Sequence, residues 1–325
     1  MKKFKKALTL SAALTCASIS TAQAGWLSNL FDNKEADTKH PMMLVPGIFA
    51  FDTISIVDYW HQIPGHLEAE GGEVYVAAIN AFDSSVGRGE DLIEQLENIK
   101  AASGGSIQKF NLLGHSQGGM TSRYVMETRP DLVASVTTIH TPNKGTPVAD
   151  LVNSAFPPAT VGGTLFSTFA NAVGDLVNLL SDNTKENADI FAMLGEFTEA
   201  GSAQFNNTYP HGVPATECGE GEELVNINGH NIRLYSWSGD RTATTVSGDI
   251  SDPLFGITTL AFEFGERNDG ITGRCSSHFG KVIKDSYNLN HLDANNHVFG
   301  LTNIFETDPK TIFKNHAKRL KSAGL

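Results

Sequence analysis

The pentapeptide GHSQG at residues 114–118 carries the clearest chemical signal in this sequence. It follows the apolar run 110–113, which is typical of a buried strand, and it precedes the helical pattern of residues 120–128. Glycines two positions before and two positions after a serine leave room for a sharp turn between a strand and a helix, which lifts the hydroxyl clear of the sheet. The pattern predicts that Ser116 is a nucleophile and favours this interpretation over a glycine-rich surface turn.

A serine hydroxyl becomes an effective nucleophile when a histidine accepts its proton and a carboxylate fixes the tautomer of that histidine and stabilises its charged form. Where the serine lies on such a turn, the chain order is serine, acid and histidine, so both partners are expected after Ser116. We take Asp269 as the acid because it lies in the turn RNDG at residues 267–270, which follows the apolar run 260–264.

The candidate bases are the histidines that follow Ser116 in the chain. Some come before the acid or lie in turn-like contexts, namely His140, His211 and His230. The histidines that follow the acid are His278, His291, His297 and His316. We take His291 as the base because it lies in the polar loop 287–293 at a short distance along the chain from Asp269.

The elements that must position these residues follow from the alternation of apolar runs and amphipathic segments, which predicts a parallel sheet covered by helices on both faces. The expected strands are residues 42–45, 74–79, 110–113, 133–139, 232–237 and 258–263. The expected helices are residues 56–70, 88–103, 120–128 and 309–321. The fold class is therefore α/β, with one domain in residues 25–325.

One segment, residues 157–182, does not fit this alternation. It is rich in glycine, alanine, serine and large apolar residues, and its charged residues are Asp175 and Asp182. The pattern indicates an amphipathic helix with an unusually apolar face. This helix is either part of the core or a lid that covers an active site in water and turns toward lipid at an interface.

The N-terminus has the pattern of a secretory signal peptide. A basic start, MKKFKK, precedes an apolar run to about residue 19 and small residues at Ala22 and Ala24, which predicts cleavage after Ala24 and hence a leader of residues 1–24. Cys16 lacks the small preceding residue that lipid attachment requires, so the sequence disfavours a lipoprotein. We expect a secreted protein.

The chain is acidic, with a net charge of −12 that becomes more negative once the lysines of the leader are removed. This charge argues against nucleic-acid binding and against electrostatic attachment to anionic lipid, so attraction to a lipid surface must be apolar. Two of the three cysteines, Cys218 and Cys275, remain after cleavage. In an oxidising compartment we expect them to form a disulfide, the alternative being two buried thiols.

Several motifs occur in an order that is typical of one family. They are VPGIFAFD at 45–52, VDYW at 57–60, GHSQGG at 114–119, RNDG at 267–270, CSSH at 275–278 and NHLD at 290–293. The chain resembles the secreted, foldase-dependent triacylglycerol lipases of Pseudomonas and Burkholderia type, from about residue 39 to the C-terminus. The resemblance implies an α/β-hydrolase fold, with a mostly parallel central sheet flanked by helices and a helical lid at 157–182.

The resemblance also implies roles for individual residues. Ser116 is the expected nucleophile, Asp269 the orienting acid and His291 the general base, with the backbone N–H groups of Ile48 and Gln117 as the oxyanion hole. Many relatives have His-Gly where this chain has PG at 46–47, and many have a second histidine in place of Gln117. Because the expected donors are backbone groups, both differences are compatible with this role.

One structural calcium ion is implied by the same resemblance. The matching ligands are Asp249, Asp293 and the main-chain carbonyls of His297 and Leu301. Carboxylate and carbonyl oxygens suit calcium, and an ion at Asp293 braces the loop of the catalytic histidine. His297 replaces a glutamine of many relatives, which leaves a carbonyl ligand unchanged. The resemblance further makes Cys218 and Cys275 the expected disulfide pair.

The expected function is hydrolysis of long-chain triacylglycerol through an acyl-enzyme. The alternative is a carboxylesterase or polyester hydrolase of the same fold that acts on shorter or soluble esters. An inactive hydrolase-like binding protein is disfavoured because all three candidate catalytic residues are present. The resemblance implies a membrane-anchored foldase and the type II secretion machinery as partners, and no nucleic acid.

Overall fold

The computed structural model describes residues 34–48, 58–80, 83–155, 189–244, 251–297 and 299–325. The expected leader, residues 1–24, and the expected lid, residues 157–182, lie outside this part of the chain.

A seven-stranded sheet forms the centre of the described residues, with the strand order β2-β1-β3-β4-β6-β5 and with β7 also paired to β6. The pairs are parallel except β5 with β6. The strands are β1 Met42–Val45, β2 Val74–Val76, β3 Phe110–His115, β4 Val133–Ile139, β5 Leu224–Ile227, β6 His230–Gly239 and β7 Lys281–Tyr287. The predicted α/β class with a mostly parallel sheet is confirmed.

Helices cover both faces of this sheet. They are α1 Ile63–Ala69, α2 Ser85–Ala102, α3 Gln117–Thr128, α4 Pro147–Ala155, α5 Asp189–Glu196, α6 Glu199–Thr208, α7 Ser251–Thr258 and α8 Pro309–Ser322. Strand β1 shows how the layers are built, because its side chains alternate between two cores. Met43 and Val45 pack with apolar residues of α2 and α3, whereas Met42 and Leu44 pack with those of α1 and α8.

The two strands predicted at 42–45 and 133–139 are confirmed at the residue level, and β3 extends the predicted 110–113 to His115. These strands are buried along their whole length, which explains their continuous apolar runs. The predicted helices at 88–103, 120–128 and 309–321 correspond to α2, α3 and α8.

The prediction of a strand at 258–263 is wrong. Helix α7 ends at Thr258 and a 3-10 turn follows at Thr259–Ala261. The buried residues Ser251, Phe255, Thr258 and Phe262 recur every three or four positions, which is the period of a helix and not of a strand. The turn that carries Asp269 therefore follows helical structure, although the acid was proposed on the basis of a preceding strand.

Strand β7 was not predicted. It is only partly buried, and it carries the charged residues Lys281, Lys284 and Asp285, which hide the apolar alternation on which a prediction depends. Its position matters because β7 pairs in parallel with β6 and leads directly into the loop of His291.

Cys218 and Cys275 form a disulfide with a Cα–Cα distance of 4.6 Å. The bond ties the segment before β5 to the segment between Asp269 and β7, across a sequence separation of 57 residues. A loop of this length contributes on the order of 4 kcal/mol to stability by restricting the unfolded chain. Among the described residues, no helix is both long and apolar enough to cross a membrane.

Replacing both cysteines, Cys218→Ser with Cys275→Ser, should lower the free energy of unfolding by roughly 2–4 kcal/mol, because the unfolded chain regains loop entropy. Urea unfolding followed by tryptophan fluorescence measures the change. A reductant should lower the midpoint of the wild type and leave that of the double variant unchanged. Equal midpoints for the two proteins under oxidising conditions contradict a stabilising role.

Candidate active site

Ser116 occupies the single residue between the end of β3 and the start of α3, with φ 55° and ψ −126°. A positive φ at a residue with a side chain is disfavoured and persists where the surrounding structure holds it. The surroundings here are two close backbone contacts. A Cβ at Gly114 would lie 2.2 Å from the carbonyl oxygen of Gly118, and a Cβ at Gly118 would lie 2.1 Å from that of Val45. The turn can form only with glycine at both positions.

The structure brings the three predicted catalytic side chains together. His291 Nε2 lies 3.0 Å from Ser116 Oγ, and His291 Nδ1 lies 2.9 Å from Asp269 Oδ2. Both His291 and Asp269 are fully buried, and Ser116 is 5% exposed. With Nδ1–H donating to the carboxylate, Nε2 is free to accept the serine proton, so the arrangement can activate the hydroxyl for attack.

The carboxylate of Asp269 is held by main-chain donors as well. Its Oδ1 accepts the N–H groups of Ile271 at 2.9 Å and Thr272 at 2.6 Å, and its carbonyl accepts the N–H of His291 at 2.9 Å. Burial raises the pKa of Asp269, but the charge of His291 and hydrogen bonds from two imidazoles outweigh burial and hold this pKa well below its ordinary value. Asp269 therefore stays ionised in the range where a histidine base operates.

A second imidazole, which the sequence analysis set aside, reaches the same carboxylate. His140 Nδ1 lies 2.7 Å from Asp269 Oδ2, and His140 is fully buried. The chain-order rule excluded it because it precedes the acid. A signal was nevertheless present, because His140 directly follows β4 and Ser116 directly follows the neighbouring β3, and the carboxyl ends of adjacent parallel strands meet at one edge of the sheet.

The loop after β1 passes directly against the nucleophile. A Cβ at Gly47 would lie 2.7 Å from Ser116 Cβ and 2.9 Å from the hydroxyl oxygen of Tyr59, so only glycine permits this approach. Ile48 is partly buried next to it. Gln117 is the first residue of α3, where a backbone N–H has no acceptor within the helix. The two expected oxyanion residues thus belong to segments that meet at Ser116.

Arg88 of α2, which the sequence analysis did not identify, holds this loop through hydrogen bonds to its carbonyl groups. Its buried guanidinium donates hydrogen bonds to the carbonyls of Pro46 and Gly47 and, at 2.6 Å, to that of Asn80. Burial lowers the pKa of Arg88 to about 10, which still leaves it charged at neutral pH. Because the N–H groups of this buried guanidinium donate to loop carbonyls, Arg88 fixes the loop without entering the active site.

A buried pair, Tyr59 and His115, connects this loop to the catalytic histidine. The Tyr59 hydroxyl accepts the N–H of Gly47 at 2.7 Å and donates to His115 Nδ1 at 2.6 Å. His115 Nε2 then carries the proton and donates to the carbonyl of His291 at 2.9 Å. Burial lowers the pKa of His115 well below its ordinary value, which is consistent with this neutral tautomer.

The residues expected to bind calcium lie partly inside the described chain. Asp293 is buried two residues after His291, and its Oδ2 accepts the N–H of Asn290 at 3.0 Å. His297 follows in the same loop, and Leu301 is exposed at the end of it. Asp249 lies outside the described residues.

Residues 40–255 match the family model described as the alpha/beta hydrolase fold. The chain is 46% identical to a triacylglycerol lipase of Vibrio cholerae over 288 residues, or 89% of each protein. It is 37% identical to a triacylglycerol lipase of Burkholderia plantarii, over 89% of this chain and 88% of that protein. For a triacylglycerol lipase of Pseudomonas fragi the identity is 36%, over 89% of this chain and 98% of that protein.

Solved structures agree at the level of the fold. The mature lipase BlEst2 of Bacillus licheniformis superposes with a TM-score of 0.58 at 16% identity, covering 87% of this chain and 93% of that one. EstA of Clostridium botulinum gives a TM-score of 0.57 at 17% identity, covering 88% of each chain.

The sharp turn at Ser116 between β3 and α3, called the elbow below, provides a stability test. Gly118→Ala should lower the free energy of unfolding by roughly 1–3 kcal/mol, because the new methyl group overlaps the Val45 carbonyl and the turn must open. The matched control is Gly65→Ala in α1, where a Cβ meets nothing within 4 Å, so that its stability stays the same or rises. Urea unfolding compares the two. Equal stability for Gly118→Ala and the wild type would contradict the proposed crowding.

Proposed function

The chain belongs to the α/β-hydrolase family, and from this premise we propose that it is a triacylglycerol lipase that uses Ser116, His291 and Asp269 in acyl transfer. The observation that carries the proposal is the pair of hydrogen bonds that connect Ser116 Oγ to Asp269 through His291. This is the geometry in which a serine can lose its proton as it attacks a carbonyl carbon.

In the proposed reaction, Ser116 Oγ attacks the ester carbonyl while His291 Nε2 takes the hydroxyl proton. The negative oxygen that develops is bound by the backbone N–H groups of Ile48 and Gln117, which cost little reorganisation because β1 and α3 hold them in place. His291 then gives its proton to the departing alcohol and leaves an acyl-Ser116. Water, activated by His291, hydrolyses this ester and releases the fatty acid.

Two observations support long-chain acylglycerols as substrate. The relatives that match most of the chain are named triacylglycerol lipases. The composition of residues 157–182 is typical of a helix with a broad apolar face. Such a face suits contact with a lipid surface, whereas an enzyme for small soluble esters has no need of it.

The decisive test compares emulsified triolein with a short soluble ester. The wild type should release fatty acid from both, and Ser116→Ala should lower kcat by about 10⁴-fold or more on both because no nucleophile remains. Ser106→Ala, at an exposed position before the start of β3 and so at the opposite end of that strand from Ser116, is the matched control and should keep full activity. The variants should share one melting temperature, which excludes a folding defect.

The outcomes separate the hypotheses. If folded wild type cleaves only the short ester, it is a carboxylesterase or polyester hydrolase and the lipase proposal fails. If it cleaves neither ester, the assignment of a hydrolase activity fails as well.

We further propose that one calcium ion is held by Asp249, Asp293 and the carbonyls of His297 and Leu301. The donors are hard oxygens, and a buried carboxylate at Asp293 is the kind of group that a cation stabilises. Bound there, calcium would restrain the loop that carries His291 and so preserve the position of the base.

Chelation with EGTA should lower the melting temperature and the activity of the wild type, because the loop of His291 loses its restraint, and added calcium should restore both. Magnesium should not replace calcium, since it prefers a smaller octahedral site. Asp293→Asn should be insensitive to EGTA, whereas Asp91→Asn, on the exposed side of α2, should respond like the wild type. Insensitivity of the wild type itself contradicts the calcium proposal.

Export is a proposal as well. The basic and apolar N-terminus and the Cys218–Cys275 disulfide both support folding in an oxidising compartment after cleavage at Ala24. We propose that a membrane-anchored foldase assists folding there and that the type II machinery then secretes the enzyme.

A further inference from the structure

The carboxylate of Asp269 serves two histidines. Its Oδ2 is 2.9 Å from His291 Nδ1 and 2.7 Å from His140 Nδ1, and Oδ1 is occupied by two backbone N–H groups. We propose that His140 is a positioning residue of this active site, whose Nδ1–H holds the carboxylate of Asp269 in the orientation that His291 needs. The inference rests on the proposed hydrolase function of the same site.

The protonation of His140 follows from its contacts. A carboxylate only accepts hydrogen bonds, so the ring nitrogen that faces Asp269 must carry a proton. The other nitrogen, Nε2, is buried and has no hydrogen-bond partner among the described residues. Burial lowers the pKa of His140 despite the neighbouring carboxylate. His140 is therefore a neutral donor with its proton on Nδ1.

The backbone is arranged to aim this side chain at Asp269. His140 has φ 48°, a left-handed conformation that a residue with a side chain rarely adopts. It is held there from both sides, because its N–H donates to the carbonyl of Trp237 at 3.0 Å and its carbonyl accepts the Thr272 hydroxyl at 3.2 Å. Strain of this kind persists where the rest of the structure determines it, and it is found most often at functional sites.

Space for the ring is provided by Gly239 at the end of β6. A Cβ at this glycine would lie 2.0 Å from the carbonyl oxygen of Leu289 and 2.9 Å from His140 Cε1, so a larger residue would overlap the main chain at Leu289 and crowd the imidazole. The glycine thus admits two close neighbours, the main chain of Leu289 and the ring of His140.

The charged and titratable groups that face His140 come from three neighbouring segments. They are Asp269, His291 at a ring distance of 6.2 Å and His115 at 6.1 Å. Burial also lowers the pKa of His115, so both flanking imidazoles, His115 and His140, are neutral. The carboxylate of Asp269 thus lies between two imidazoles, and the donor from His140 helps to fix the direction in which Oδ2 faces His291.

The consequence is a fixed orientation of the acid. With His140 in place, Oδ2 of Asp269 is held 2.9 Å from His291 Nδ1. Removal of the His140 donor should leave the carboxylate free to turn, so that the ring of His291 is less well oriented toward Ser116.

Two variants distinguish the effect of losing the hydrogen-bond donor at position 140 from the effect of losing the imidazole ring. His140→Gly removes the donor and suits the left-handed backbone. His140→Asn keeps a donor, because the amide nitrogen of asparagine can occupy the place of Nδ1, and asparagine tolerates a positive φ. Both are compared with the wild type by kcat and KM on a short soluble ester and by melting temperature.

His140→Gly should lower kcat by roughly 10–100-fold, the usual effect of losing a group that orients a catalytic ligand. KM for the short ester should change little, because the loss lies in the orientation of the proton acceptor and not in substrate binding. His140→Asn should restore most of kcat. If His140→Gly loses only stability and keeps the kcat of the wild type, or if asparagine fails to restore kcat, the histidine is structural and the proposal is overturned.

A second readout does not require activity. Proton NMR of the folded wild type should show two low-field imidazole resonances, from His140 and His291 on Asp269, and His140→Asn should retain the one from His291. A single resonance in the wild type overturns the proposal even if the ester assay shows activity. If two resonances are seen but no ester is hydrolysed, the hydrogen bond from His140 to Asp269 is supported and the proposed hydrolase function is wrong.

Discussion

The approach of two backbone segments at the elbow is the constraint on which the active site depends. With glycine at position 118, α3 starts against the carbonyl of Val45, and with glycine at position 114, β3 ends against that turn. This contact joins the ends of β1 and β3, and with them the loop after β1 and Ser116, in one closely packed unit. Catalysis by electrostatic preorganisation needs donors that do not have to move, and dense packing of main chain against main chain provides them.

Buried polar groups then connect this unit to the late part of the chain. Arg88 donates to carbonyls of the loop after β1, while the path from Gly47 through Tyr59 and His115 ends on the carbonyl of His291. Each of these groups would be costly to bury alone, and together they satisfy one another's donors and acceptors. The network therefore connects the loop after β1 with the loop of His291, the two segments to which the proposed mechanism assigns the negative oxygen and the proton.

Local patterns in the sequence were sufficient for the elements that are buried on both faces and for the turn at Ser116, because apolar runs and paired glycines are local signals. They failed at 258–263, where an apolar segment with helical spacing was interpreted as a strand. They also passed over His140, since its role depends on β3 and β4 being neighbours in the sheet and on where Asp269 folds back. The chain order of a triad indicates which residues act, but it does not indicate which other residues donate hydrogen bonds to them.

The late position of the acid and the base has a consequence for the chain while it is being made. The turn at Ser116 is complete once β1, β3 and α3 are present. His291, in contrast, lies in the loop after β7, and β7 pairs with β6. A nascent or truncated chain that ends before this strand has a nucleophile without a base. Ester hydrolysis by the proposed triad thus becomes possible only after nearly the whole protein has been synthesised and folded.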